Sequence, residues 1–273
     1  MKRVDPGNGL VAIFAAAIAL AGVAPAACAQ QEGDGAGPRS SRDVERLRGT
    51  DEWRTDFANA SVPLSEIVSG GPPKDGIPPI DEPKFESAEE AAEWLEPRDP
   101  LMVVSLGDEV KAYPLGILIW HEIVNDVVGG VPVAVTFCPL CNTALVFDRR
   151  LDGRTLDFGT TGRLRQSDLV MYDRQTESWW QQAVGEAIVG ELTERKLELV
   201  PANTLGWERV RRLYPNVRVL SRDTGFPSYA SSGRYGQNPY RGYDTGSGPY
   251  PRFVQGEFRD DLPAMERVVA IDR

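Results

Sequence analysis

The sequence predicts a mainly β fold with a few short helices, an α+β arrangement in a single globular domain that follows a signal peptide and a tether. Three observations predict it. From Leu101 onward, short β-branched and aromatic runs alternate with Gly-Asp and Asp-Gly turn signals, the pattern of successive hairpins. Helical spacing is confined to short stretches. The 273 residues, 41% hydrophobic and 26% charged, suit one large domain of ordinary globular composition.

Residues 1–29 read as an export signal, with Lys2 and Arg3 before an apolar run over 11–24 and a small-x-small site at Ala27-Cys28-Ala29. The run is shorter than the roughly 20 residues that span a membrane. A second route makes Cys28 a lipid-modified cysteine that attaches the protein to a membrane. Pro25 stands where such sites carry an aliphatic residue, so simple cleavage is favoured. Either route predicts an exported protein of the periplasm or cell envelope. Residues 30–52, rich in Gly, Ser and charge, read as a disordered tether. The domain proper is expected over 53–258, with a strand or tail over 259–273.

Prolines and glycines over 53–82 exclude a long helix and predict ordered coil. Ser87 followed by Glu90 is a capping box that opens a helix through SAEEAAEWL, ended by Pro97 and Pro100. LMVVSL and EVKAYPL form a hairpin about Gly107-Asp108. In GILIWHEIVNDVV, Ile117, Trp120, Ile123, Val124 and Val127 recur at helical spacing and predict a helix that Gly129-Gly130 ends. VPVAVTF reads as a buried strand. NTALVFDRR and RTLDFG form a second hairpin about Asp152-Gly153. LVMYDRQTESWWQQ and AIVGE continue the meander, LELVPANTLGWERVRRLYP holds a strand and a short helix, and NVRVLS is one more strand. The tyrosine-rich residues 223–252 read as a long loop packed on the domain.

The chemistry concentrates in residues 113–148, which hold the only histidine, His121, together with Cys138 and Cys141. A net charge of -10 excludes a nucleic-acid partner, because no basic surplus exists to neutralise phosphates. Three cysteines are too few for a disulfide scaffold, and one histidine excludes His-rich zinc hydrolases and multi-histidine copper or iron sites. Cys138-Pro139-Leu140-Cys141 allows a soft metal site, a dithiol in exchange, or a disulfide. A buried pair without chemistry is the bland alternative. In a thioredoxin-like arrangement the motif opens a helix; here a hairpin is expected to follow, so metal binding is favoured.

His121 is then the natural third ligand, against the competing reading of a core histidine bonded to a carbonyl. His121-Glu122 resembles the start of the zinc-protease H-E-x-x-H motif, but Asn125 replaces the second histidine and that reading fails. Met171 is the candidate fourth ligand, against a plain core role. Two thiolates, an imidazole and a thioether suit copper first and zinc second. If so, both sulfurs and a His121 nitrogen should converge on one point. The other functional readings are thiol–disulfide exchange through the same cysteines, or a non-catalytic module whose tyrosine-rich loop recognises a partner. Asp126, Asp148, Asp168, Asp173 and Glu177 read as solvated or turn-forming acids, and none is singled out.

Four phrases carry a family resemblance: AYPLGILIWHEIVND, VAVTFCPLCNTALVFDR, LVMYDRQTESWWQQAVGEAIVGE and NPYRGYD. Over residues 62–255 the chain resembles the bacterial domain-of-unknown-function family numbered 3179. The resemblance implies a family and no catalytic residues. Beyond it, LPAMERVVAIDR resembles the earlier RDPLMVVSLGDEVKAYP in order, a weak repeat cut short at Arg273, whose VVAI is expected to dock as a strand on a sheet edge.

Overall fold

Ser40 opens the described chain by capping a helix: its hydroxyl accepts the Arg42 N–H (3.2 Å), and α1 (Ser41–Arg48) follows. The structure is a computed structural model that describes residues 40–243, 245–246, 248, 250–255, 261–266 and 268. The expected signal peptide and Cys28 lie outside these residues. The stretch read as a tether through residue 52 carries α1 instead. Leu47 is fully buried, and the Arg46 guanidinium donates to the carbonyls of Ile67 (2.6 Å) and Leu64 (2.9 Å). Two apolar positions in a polar run, Val44 and Leu47, gave too little periodicity to reveal it.

β1 (Ile67–Ser69) and β2 (Phe85–Glu86) are short, and α2 (Ala88–Ala91) begins at the complete Ser87/Glu90 capping box. β3 (Pro100–Leu106) and β4 (Glu109–Pro114) form the expected hairpin about Gly107-Asp108. The next segment departs from expectation. α3 (Leu115–His121) stops after seven residues, and β5 (Ile123–Val128) replaces the rest of the helix. Ile123, Val124 and Val128 are buried on both faces of a strand, and a strand buried on both faces can mimic helical spacing. β6 (Val131–Cys138) and β7 (Thr143–Asp148) follow, then the small hairpin β8 (Arg150–Leu151) and β9 (Arg154–Thr155) about Asp152-Gly153. β10 (Phe158–Arg165), β11 (Asp168–Asp173), β12 (Trp179–Gln181) and β13 (Glu186–Val189) form the meander. β14 (Ala202–Gly206) leads into α4 (Trp207–Leu213), and β15 (Arg218–Leu220), α5 (Pro227–Ser231) and a 3-10 turn (Pro251–Phe253) follow.

Apart from the two-stranded β8-β9 sheet, the described strands make three stacked sheets. Their orders are β1-β10-β11-β12-β13, β5-β6-β7 and β14-β3-β4-β15-β2. The three-stranded sheet is the middle layer, and β6 shows why its sequence is apolar throughout. Val133 and Val135 face Met102, Val104 and Tyr113 of the β3–β4 sheet, while Ala134 and Cys138 face Phe158, Met171 and Trp180 of the β10–β12 sheet. Outside these layers, α1 and the coil after it cover Trp179 and Ile67, and α2 and α4 cover Val103 and Val219. Among the described residues no helix is long and apolar enough to cross a membrane. Most of the VVAI segment lies outside the described residues; 261–266 and Val268 contain no strand.

The packing of α1 is directly testable. Leu47→Ala should cost about 2–5 kcal/mol, as expected for truncating a fully buried leucine. Urea denaturation reads this as a lower midpoint, and an unchanged midpoint would return residues 41–48 to the status of a tether.

Candidate functional site

The cysteine motif is the tip of a hairpin. Cys138 is the last residue of β6 and pairs with Thr143, the first of β7. Pro139 to Asn142 make the connection. Asn142 takes the left-handed conformation (φ 51°), which a short amide side chain tolerates better than most. A strand follows the motif, not a helix, as expected.

A second hairpin tip meets the first. Gln166 and Ser167 both have positive φ (53° and 61°), the requirement of a two-residue turn between twisted strands. This tight turn delivers Asp168 as the first residue of β11. The Cys138 thiol donates to the Ser167 carbonyl (3.6 Å), and the Cys141 thiol donates to Asp168 Oδ1 (3.3 Å). Asp168 Oδ2 accepts the Ala183 N–H (2.9 Å), which fixes the carboxylate plane. Both sulfurs and one Asp168 oxygen lie within 4.8 Å of one another, and both cysteines are free.

Glu122 approaches from the end of α3. It caps that helix in the left-handed region (φ 60°, ψ -29°) and is 7% exposed. Burial, and then the Asp168 charge, push its carboxyl up to about 8. Burial likewise raises Asp168 to about 6 and holds the Cys138 thiol well above its usual range. The site is therefore a set of neighbouring buried acids. Tyr240, from the tyrosine-rich loop, lines the same cleft as Cys141 and Ser167, and burial, then the Glu122 and Cys138 charges, raise its hydroxyl. The hydroxyls of Ser167 and Tyr243 are buried beside the same turn.

His121 does not join them. Its Nδ1 lies 2.7 Å from the Pro78 carbonyl and its Nε2 lies 2.6 Å from the Tyr235 hydroxyl, so both nitrogens are engaged. Its ring packs against Phe226, Tyr229 and Tyr235. Burial lowers its pKa to about 4, which keeps it neutral. The expected convergence of His121 with the two sulfurs is thus replaced by Asp168, because the chain reverses at Glu122 and turns the two neighbouring side chains apart. Met171 is fully buried among Ile123, Leu169 and Trp180 in the apolar cluster that also holds Cys138. Asp168, read in the sequence as one of several solvated or turn-forming acids, stands directly after a turn and is 3% exposed. Asp126 binds Lys111 and Tyr113, and Glu177 binds Lys74, so these acids are satisfied elsewhere. A usable sequence signal existed for Asp168: Gln-Ser-Asp between two strands leaves room only for a tight turn.

The family profile described as a protein of unknown function (DUF3179) matches residues 74–273, and the chain belongs to that family. Neither a curated protein nor a solved structure matches the chain.

The buried acids make metal-free stability pH-dependent. Glu122 titrates near 8 in the folded chain and near 4.5 unfolded, so the folded state holds an extra proton between these values. Stability should be full below about pH 4.5 for this group and fall as pH rises to about 8. Asp168 acts in the same direction up to about 6. Glu122→Gln should flatten the part of the slope above pH 6, read by urea midpoints across the range. Equal slopes in both proteins would show that Glu122 is not a buried proton carrier.

Proposed function

We propose that Cys138, Cys141 and Asp168 hold a divalent metal ion, zinc ahead of copper, in an exported protein of the cell envelope. The observation that carries this reading is the mutual approach of the three donor atoms within 4.8 Å. Zinc binds sulfur at about 2.3 Å and carboxylate oxygen at about 2.0–2.2 Å in a tetrahedron, which sets sulfur and oxygen about 3.5 Å apart. Cys141 Sγ and Asp168 Oδ1 are 3.3 Å apart, so little movement is needed. Asp168 Oδ2 is already anchored by the Ala183 N–H, the kind of outer contact that orients a ligating carboxylate.

Charge supports the same reading. Two thiolates and a carboxylate buried together repel one another, and without a cation the two thiols must stay protonated beside the Asp168 carboxylate. A divalent ion removes that repulsion and drives the thiols to deprotonate on binding. The hard carboxylate in place of an imidazole and a thioether favours zinc over copper. Three protein donors leave a fourth position; Glu122 feels the Asp168 charge but is not among the donor atoms that lie within 4.8 Å of one another.

Zinc titration of the reduced full chain should give one ion per molecule, with protons released on binding. Cys138→Ser, Cys141→Ser and Asp168→Asn should each weaken binding by more than the roughly 10–100-fold that loss of an outer contact costs. His121→Asn should bind zinc as the parent does. Wild-type affinity in all three donor variants would rule the site out, and a loss in the His121 variant without a fall in stability would restore the histidine as a ligand.

A further inference from the structure

The two cysteines are unequal. Cys138 is 1% exposed and packs among Ile123, Phe158 and Met171. Cys141 is half-buried, sits on the turn, and lines a cleft of about 1260 Å³. The hairpin causes the asymmetry. Cys138 belongs to a strand in the middle layer of the stack, while Cys141 belongs to the connection that leaves it. Their sulfurs lie within 4.8 Å of each other, so a disulfide of about 2.05 Å needs a shift of side chains on one turn.

We propose that Cys141 is the entry thiol of a dithiol that exchanges with disulfides in extended, apolar polypeptide segments, and that Cys138 is the resolving thiol. The reaction uses the sulfurs of the zinc reading and does not require the metal. Cys141 Sγ already donates to the fixed Asp168 carboxylate at 3.3 Å, so the proton passes there as the sulfur attacks. The substrate S–S bond breaks, a Cys141–substrate mixed disulfide forms, and the first substrate sulfur leaves with that proton. Cys138 Sγ then attacks Cys141 Sγ. The mixed disulfide breaks, the second substrate sulfur takes the Cys138 proton, and a Cys138–Cys141 disulfide remains. The substrate has gained two electrons and two protons, and the protein pair has lost them. A dithiol reductant restores the pair.

The cleft argues for the substrate class. Its wall includes residues 143–145 of β7, next to the stretch 146–148 that bridges to residues 198–200, and Thr204 of the sheet-edge strand β14. A sheet edge offers main-chain donors and acceptors to an extended segment. Leu199 (56% exposed) and Val184 (46%) stand on the same wall with Leu140, which gives apolar side chains a surface to bury. The chain's own Ala264 and Met265 already lie along it. A small anionic disulfide such as that of glutathione meets one cation among the lining residues, Lys196, and leaves the apolar part of the wall unused.

The test uses the reduced full chain in the presence of a chelator. The probe is a ten-residue apolar peptide whose one cysteine is a mixed disulfide with thionitrobenzoate. Cys138→Ser should trap the peptide covalently on Cys141, and Cys141→Ser should not react. Wild type should release both probe thiols and lose two mass units, with no lasting adduct. Limiting iodoacetamide on wild type should label Cys141 at least about tenfold over Cys138, because attack follows thiol access. That measurement decides the order even if a serine variant fails to fold. Equal reaction of the two variants, preferential labelling of Cys138, or a stable wild-type adduct would overturn the proposal. Glutathione disulfide reacting as fast as the peptide would overturn the substrate class. Exchange in a chain that binds no zinc would sink only the zinc reading, and zinc binding without exchange would sink only this one.

Discussion

Much of the molecule turns on the backbone of Glu122. A glutamate in the left-handed region costs about 1–2 kcal/mol, since its Cβ crowds the following carbonyl. The fold holds it there from both sides. The Glu122 N–H donates to the Leu118 carbonyl (2.6 Å), which closes α3, and the Glu122 carbonyl accepts from the Phe137 N–H (2.8 Å), which starts β5 alongside β6. One residue thus ends a helix and sets the register of the middle sheet. It also divides the labour of its neighbourhood: His121 faces the tyrosine-rich loop and Glu122 faces the cysteines. A right-handed residue at 122 would continue α3 and remove β5 from the stack.

The same economy of turns builds the site itself. Cys141, Ser167 and Asp168 sit at or beside hairpin tips, and Asn142, Gln166 and Ser167 all carry positive φ. Strain of this kind persists where the surrounding structure over-determines it. Here the sheets on either side do so. β6 is locked between two layers, and β10 and β11 are paired along nearly their full length. The tips can therefore hold two thiols and a carboxylate in a fixed relation that loops alone would not maintain. Burial then does the chemical tuning: it raises Cys138, Asp168 and Glu122 together, and the charge of Asp168 adds to the rise at Glu122 and Cys138.

What the sequence disclosed follows from how local each signal is. The turns at Gly107-Asp108 and Asp152-Gly153 were legible because the residues that make them are adjacent in the chain. The strand after Cys141 was legible from its β-branched run and separated this motif from one that opens a helix, but it pairs back with β6, and only Arg150–Leu151 and Arg154–Thr155 form the hairpin expected beyond it. The α3–β5 junction was not, since Ile117, Trp120, Ile123 and Val124 satisfy a helical period and a doubly buried strand equally well. Asp168 escaped because its partner lies 27 residues away and meets it only when two hairpins pack. His121 was overvalued for the opposite reason. Nearness in sequence to the cysteines implied nearness in space, and a single left-handed residue broke that implication.

The histidine nevertheless bears on the site through the loop it holds. Tyr235 Oη lies 2.6 Å from both His121 Nε2 and Thr224 Oγ1, so the imidazole ties the start of the tyrosine-rich segment to α3. Its other nitrogen ties α3 to the Pro78 carbonyl, in the proline-rich coil. Trp120 extends the clasp: its indole N–H donates to the Gln237 carbonyl (3.2 Å), and Arg234 stacks on its ring. Only a few residues farther on, Asn238, Tyr240 and Tyr243 line the cleft in which Cys141 sits. The loop is thus fixed at one end by a neutral, buried imidazole and contributes its other end to the cleft wall. The two rings of chemistry that the sequence appeared to merge, histidine and cysteines, occupy opposite sides of one turn, joined by the loop between them.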